Sequence, residues 1–307
     1  MKAASPIGKY LSFAKAMVER GGPRQHEYLE LDCWISQVYS SFDSGDLRTE
    51  FISELRSTLG RVLSPATMLG FAVCKPHGYA GDFEIIDRHY LAYIAPDPEL
   101  ANWDYYWHAN PAARAVRNRK HYFHQLLNHH CAAKMDNELR VLNVASGPAR
   151  DVLEYVRFTE QPVHFDCIDN DPEAIAHASG LCAGFHNVVF RNANALRLRS
   201  KQLYDLVWSA GLFDYFNDRT LIFMLRRLLR CVAPGGELVI GNYAMTNPHP
   251  NLCWLRFVDW QLHHRSRETL IDLALESGVS ADCISIGSEP EDVTLFLHIK
   301  PNDSVHP

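Results

Sequence analysis

The stretch Leu139–Ile175, LRVLNVASGPARDVLEYVRFTEQPVHFDCIDNDPEAI, most constrains what this chain can fold into. Its apolar run from Val141 to Val144 is too short for a buried helix and stops at the small-residue turn Ala145-Ser146-Gly147-Pro148-Ala149, the pattern of a strand feeding a tight turn. From Arg150 to Phe158 the apolar residues Val152, Tyr155 and Val156 recur at helical spacing. A second strand, Val163 to Ile168, ends in Asp169-Asn170-Asp171. The stretch predicts a β-turn-α-β unit with a carboxylate at the tip of its second strand. Small residues at the first turn admit a ligand to the backbone, the helix N-terminus offers free N–H groups, and an acid about twenty residues on accepts ribose hydroxyls. A single glycine, followed by a proline with no N–H, suits a nucleoside without phosphate better than a dinucleotide. An ordinary crossover without a ligand would use the same pattern.

The turn and the acid resemble motif I and the following acidic motif of class I S-adenosylmethionine (SAM) methyltransferases, whose G-x-G-x-G is met here by Ala145, Gly147 and Ala149. A second segment, Pro76-His77-Gly78-Tyr79-Ala80-Gly81-Asp82-Phe83-Glu84, resembles one found ahead of motif I in bacterial methyltransferases described as making 3-hydroxypalmitic acid methyl ester, an extracellular signal. The resemblance covers most of the chain. It implies an α/β fold, a Rossmann-like doubly wound sheet with an antiparallel C-terminal hairpin, plus an N-terminal helical cap. The expected division is 1–135 for cap and lid and 136–302 for the SAM-binding domain.

Composition narrows the partners. A chain of 307 residues, 47% hydrophobic and 21% charged, is that of a soluble globular protein with one large or two ordinary cores. The net charge of -6 gives no basic footprint for nucleic acid. Eight cysteines scattered without a C-x-x-C pair read as reduced thiols in a cytoplasmic protein. No signal peptide or membrane span is evident, so the expected partner is a small-molecule methyl acceptor, with oligomerisation left open.

In chain order, Lys9–Arg20, His26–Ser41 and Leu47–Val62 show helical periodicity. The loop from Cys74 to Glu84 reads as an active-site lid, although Asp82 would equally cap a helix starting at Phe83. Arg114, Arg117, Arg119 and Lys120 lie on the helix expected over Ala112–His130. The family often holds the methionine carboxylate with a basic residue upstream of motif I, which points to Arg114 or Arg119; a solvated helix face explains the same residues. His124, His129, His130 and Cys131 lack metal-ligand spacing, and no metal is expected. Past the third strand, Asn187–Phe190, Asn194-Ala195 resembles the adenine motif with asparagine in place of aspartate, or else a polar turn. Tyr204–Ser209 is the fourth strand, Asp218–Val232 a helix, Glu237–Gly241 the fifth strand, and Cys283–Ile286 with Val293–Ile299 the terminal hairpin.

The resemblance thus assigns SAM to Tyr79, Arg114, Arg119, Ala145, Ser146, Gly147, Asp169, Asn170, Asn194, Ala195, Ser209 and Leu212. Methyl transfer requires alignment and desolvation. A carboxylate acceptor is already ionised and needs no base, whereas a hydroxyl or amine needs one. Candidate catalytic residues are His77, Tyr79, Tyr243 and His249, with Asp214 a further base or else the cap of the next helix. The expected reaction is O-methylation of a carboxylate such as a 3-hydroxy fatty acid. N- or O-methylation of another metabolite, and SAM binding without turnover, stand beside it.

Overall fold

The computed structural model describes residues 6–134 and 137–302. The chain begins with helices α1 (Pro6–Glu19), α2 (Tyr28–Asp43), α3 (Thr49–Leu59), α4 (Met68–Cys74), α5 (Phe83–Tyr90), α6 (Pro98–Ala109) and α7 (Pro111–Lys134). It then alternates through β1 (Leu139–Val144), α8 (Arg150–Phe158), β2 (Val163–Asp169), α9 (Pro172–Leu181), β3 (Val188–Asn192), β4 (Tyr204–Ser209), α10 (Asp218–Leu229) and β5 (Val232–Tyr243). It ends with α11 (His249–Phe257), α12 (Arg267–Glu276), β6 (Ile284–Ser288) and β7 (Thr294–Ile299).

These elements form two units, one of Met1–Arg114 with Pro248–Gln261 and one of Ala115–Asn247 with the remainder. The first is helical. Trp34, Ile35, Val38, Leu55 and Phe257 are buried in it, and the Trp254 indole donates to the Tyr106 hydroxyl at 2.7 Å. Buried Asp104 accepts the N–H groups of Met68 and Ala95 at 2.7 and 2.8 Å, which joins α6 to the start of α4.

The second unit is a seven-stranded sheet in the order β3-β2-β1-β4-β5-β7-β6, with β1 to β5 parallel and β7 antiparallel to both neighbours. Every residue of β1 except Arg140 is buried, as expected of a parallel strand covered on both faces. Leu142 and Val144 pack with Leu221, Leu225 and Leu270 of α10 and α12. On the other face, Leu139 and Val141 pack with Phe123, Leu127, Val152 and Ala178 of α7, α8 and α9. Phe123 stacks on Trp208 at 4.7 Å and Trp208 on Phe296 at 5.4 Å.

The doubly wound sheet and terminal hairpin agree with the sequence reading, while boundaries differ. Most of α7 belongs to the sheet unit, because Phe123, Leu127 and Cys131 lie in its core, so the division falls after Arg114 instead of residue 135. The aromatic stretch around Trp254 and Trp260 belongs to the helical unit. β5 begins at Val232 and not at Glu237. Its pairing with β4 jumps from Tyr204↔Val232 to Leu206↔Glu237, and Gly235, at φ 72°, absorbs the intervening bulge. Among the described residues no helix is long and apolar enough to cross a membrane.

A buried carboxylate fastens α7 to the sheet. Glu237 accepts from His130 at 2.8 Å and His298 at 2.7 Å, and His298 is bonded through its other nitrogen to the Tyr122 hydroxyl at 2.6 Å. Burial works to raise the Glu237 carboxyl, but the two imidazoles and Lys300 outweigh it and hold it down at about 2. A depressed carboxyl stabilises the fold above its ordinary value of 4.5 and loses that contribution as pH falls toward 2. Glu237→Gln is therefore expected to cost about 2 kcal/mol near pH 7. Urea titrations at several pH values should show the gap between variant and parent closing below pH 4.5.

Candidate cofactor site

In an open parallel sheet a ligand settles beyond the carboxyl ends of the strands where strand order reverses, here at β1 between β2 and β4. The turn after β1 is built for close approach. Ala145, Gly147 and Ala149 all take left-handed conformations, at φ 55°, 53° and 50°. The three positions thus share the conformation that favours glycine, although two of them are alanine. Each left-handed alanine costs roughly 1 kcal/mol, strain of a kind concentrated at functional sites. Ala149 also buries its methyl in the core, whereas Ala145 is only partly buried. Ala145→Gly is accordingly expected to raise stability by about 1 kcal/mol, read as a higher urea midpoint at unchanged slope.

The turn and the acidic strand tip are hydrogen-bonded together. Gly147 N–H donates to Asp169 Oδ2 at 2.9 Å, Asp171 N–H donates to Oδ1 at 2.9 Å, and Ser146 N–H donates to the Ile168 carbonyl at 3.1 Å. Burial pushes the Asp169 carboxyl up, against the backbone N–H bonds from Asp171 and Gly147. Each of its oxygens keeps a second lone pair for a ribose hydroxyl. Asn170 is exposed beside it. At β3, Ala193 N–H donates to the Asp169 carbonyl at 2.8 Å, and exposed Asn194 uses its side-chain oxygen to cap the turn at Leu196 N–H, 2.8 Å away. The polar-turn alternative for Asn194 is therefore realised, with one lone pair left for a ligand donor. Ala195 packs against the core.

Two buried polar atoms at this turn point to a bound group. Asn143 Nδ2 and Ser146 Oγ are buried and have no hydrogen-bond partner among the described residues, a costly state for a ligand-free fold. A Cβ built on Gly147 would meet nothing within 4 Å. Open space, an acid at the neighbouring strand tip and unsatisfied polar atoms suit a nucleoside carrying a polar amino-acid tail. Asn143 escaped the sequence reading; its one signal was a polar residue inside the run Val141–Val144.

Past β4 the expected residues divide. Ser209 is fully buried and donates to the Val144 carbonyl at 3.0 Å, joining the tips of β1 and β4. Leu212 packs against the core. Asp214 does not cap the next helix; Asn217 does, accepting Thr220 N–H at 3.0 Å. Asp214 instead accepts the N–H of Tyr243. Tyr243 is buried, and burial pushes its hydroxyl up. Arg119 is also buried, with its guanidinium against Gly211, where a built Cβ would lie 2.9 Å from Nη1. Lys120 pairs with Glu154 at 2.6 Å, so this part of α7 is not a solvated basic face.

The remaining candidates lie in the helical unit. His77 Nε2 donates to Glu84 at 3.0 Å, and Arg88 holds the other Glu84 oxygen at 2.7 and 3.1 Å. Burial acts to raise the Glu84 carboxyl, but the His77 and Arg88 bonds leave it below its ordinary value. Asp82 caps α5 by accepting Ile85 N–H at 2.9 Å, and Tyr79 is exposed. The Arg114 guanidinium donates to the Ala109 carbonyl. His249 opens α11, and its side chain lies outside the described residues.

The sequence profile of a methyltransferase domain family matches residues 141–236, from β1 to the bulge in β5. No curated protein matches the chain in sequence. Among solved structures, the chain is similar to a possible exported protein from Bordetella parapertussis, 18% identical, with TM-score 0.59 over 98% of this chain and 97% of that one. It is also similar to a candidate O-methyltransferase from Nostoc punctiforme, 15% identical, with TM-score 0.51 over 78% of this chain and 69% of that one. At these identities the likeness is one of fold.

Proposed function

We propose that this chain, which carries a SAM-dependent methyltransferase domain, transfers the methyl group to the carboxylate of a small hydroxylated acid, giving a methyl ester. The observation that carries the cofactor part is the turn after β1, with Gly147 bonded to Asp169 beside the unsatisfied Asn143 and Ser146. In this reading Asp169 accepts the ribose hydroxyls, Gly147 lets the ligand reach the backbone, and Ser146 and Asn143 meet the polar tail. Bound there, SAM supplies an activated methyl whose bonding electrons return to sulfur as an acceptor oxygen takes the carbon.

The carboxylate assignment draws on the Pro76–Glu84 segment and its resemblance to ester-forming enzymes. A carboxylate enters ionised, so the chain has only to align it and exclude water. One observation favours a second reading, a hydroxyl or amine acceptor: Glu84 orients His77 as a carboxylate orients a general base. A cytoplasmic setting is supported by eight cysteines that are all free.

Incubation with methyl-labelled SAM and a panel of 3-hydroxy fatty acids, the matching alcohols and amines tests the acceptor. Label in a base-labile ester supports the carboxylate. Label on an amine or ether overturns it. Saturable SAM binding without transfer to any member of the panel would leave a binding module.

A further inference from the structure

Seven basic residues and only three acids lie between Ala195 and Arg230, although the whole chain carries a net charge of -6. All three acids are engaged elsewhere. Asp205 pairs with Lys134 at 2.6 Å, Asp218 pairs with Arg265 at 2.8 Å, and Asp214 is buried and accepts Tyr243 N–H. The basic residues are not so engaged. Arg197, Arg199 and Lys201, on the connection from β3 to β4, and Arg219, Arg226 and Arg230, on α10, are exposed and pair with no acid among the described residues. Other cations of the same unit do find one, as Lys120 does in Glu154, Arg191 in Asp166 and Arg267 in Asp292.

The two groups form one surface. Arg227, the seventh cation, donates to the Leu198 carbonyl at 2.7 Å, and Tyr204 N–H donates to the Cys231 carbonyl at 2.8 Å, so the connection lies along the last turns of α10. On α10 itself Arg219, Phe223, Arg226 and Arg230 follow one another at steps of three or four residues and share one exposed helix face. Twelve residues make that face about 18 Å long. Among the cations stand three large apolar side chains open to solvent: Leu196, Leu203 at 41% exposure and Phe223 at 45%. The Arg227 guanidinium braces the Phe223 ring at 4.8 Å. At the border with α12, Arg226 donates to the carbonyls of Glu276 and Ser277 at 2.6 and 3.2 Å, and the Glu276 carboxylate makes no ion pair with it.

We propose that this face docks the chain on an anionic lipid surface, with its cations against the headgroups and Leu196, Leu203 and Phe223 at the boundary with the acyl chains. Uncompensated positive charge sets the sign of the partner, and the apolar side chains set its kind. Cations interleaved with leucine and phenylalanine are what interfacial segments present to a bilayer. The acidic balance of the whole chain does not oppose this. Screening over about 8 Å at physiological salt lets an approaching surface meet the local patch and not the net charge. Docking is independent of which acceptor receives the methyl group, although a fatty acid would partition into the same surface.

Flotation of the full chain with vesicles of phosphatidylcholine, alone or mixed with phosphatidylglycerol, reads the docking. The expected result is binding at least about tenfold tighter to the anionic vesicles at about 0.1 M salt, weakening as salt rises to about 0.5 M. Arg199→Glu combined with Lys201→Glu should lower that affinity at least about tenfold. Phe223→Ser should lower it at least about threefold and remove the part that survives high salt. These side chains are exposed, so urea midpoints and SAM affinity should match those of the parent. Phe223→Trp keeps an apolar ring, and its added emission should shift to shorter wavelength on anionic vesicles alone. Equal affinity for both vesicles, binding to neither, or affinity unmoved by the substitutions would overturn the docking and leave the cofactor reading untouched. Competition by polyglutamate as strong as that of the anionic vesicles, and indifferent to Phe223→Ser, would assign the face to an acidic protein and equally overturn it.

Discussion

Replacing Arg265 with alanine is expected to cost about 3–5 kcal/mol of folding stability, because several acceptors would lose a buried charged donor at once. The residue is 3% exposed, and its guanidinium is spread over Asn242 at 2.7 Å, Asp218 at 2.8 and 2.9 Å and the carbonyls of Phe213 and Phe216. It therefore pins the loop past β4, the start of α10 and the tip of β5 to one another. Truncation leaves the Asn242 oxygen and two carbonyls without their donor. Arg265→Lys keeps the charge but not the planar fork and should recover only part of the loss. Chemical denaturation of the three proteins measures this, and a cost for alanine below about 1 kcal/mol would mean that the loop is held by something else.

Asp169→Ala is expected to weaken SAM binding by about 3 kcal/mol, roughly a hundredfold, because charge-assisted bonds to both ribose hydroxyls disappear. Gly147 and Asp171 would also lose their acceptor, so binding must be read at a temperature where the variant is folded. Asp169→Asn keeps one acceptor oxygen and should fall between the two. Calorimetric titration decides, and an unchanged dissociation constant for the folded alanine variant would place the ribose elsewhere.

What the sequence disclosed and what it concealed follow from the range of the forces involved. The β-turn-α-β unit was legible because strand, turn and helix signals are local, and the acid at the end of β2 is fixed by distance along the chain. The terminal hairpin was legible for the same reason. Arg265 was not: its partners lie between 23 and 52 residues away, and nothing about an arginine after two histidines announces burial. Asp214 looked like a helix cap because aspartate before a helix usually is one. Asn217 was better placed, and only the parallel neighbour β5 explains what Asp214 holds. The two alanines of the turn after β1 looked like a departure from a glycine pattern, yet they take the left-handed conformation that favours glycine, a fact that only φ values reveal.

The helical unit is completed by Pro248–Gln261, made long after the rest of it. Until that segment leaves the ribosome, Tyr106 lacks the Trp254 indole and Arg56 lacks the Phe257 carbonyl. A newly made chain must therefore finish five strands of the second unit before the first is complete, and a fragment ending at Arg114 lacks α11. Boundaries for expression should enclose both visits of the chain to that unit.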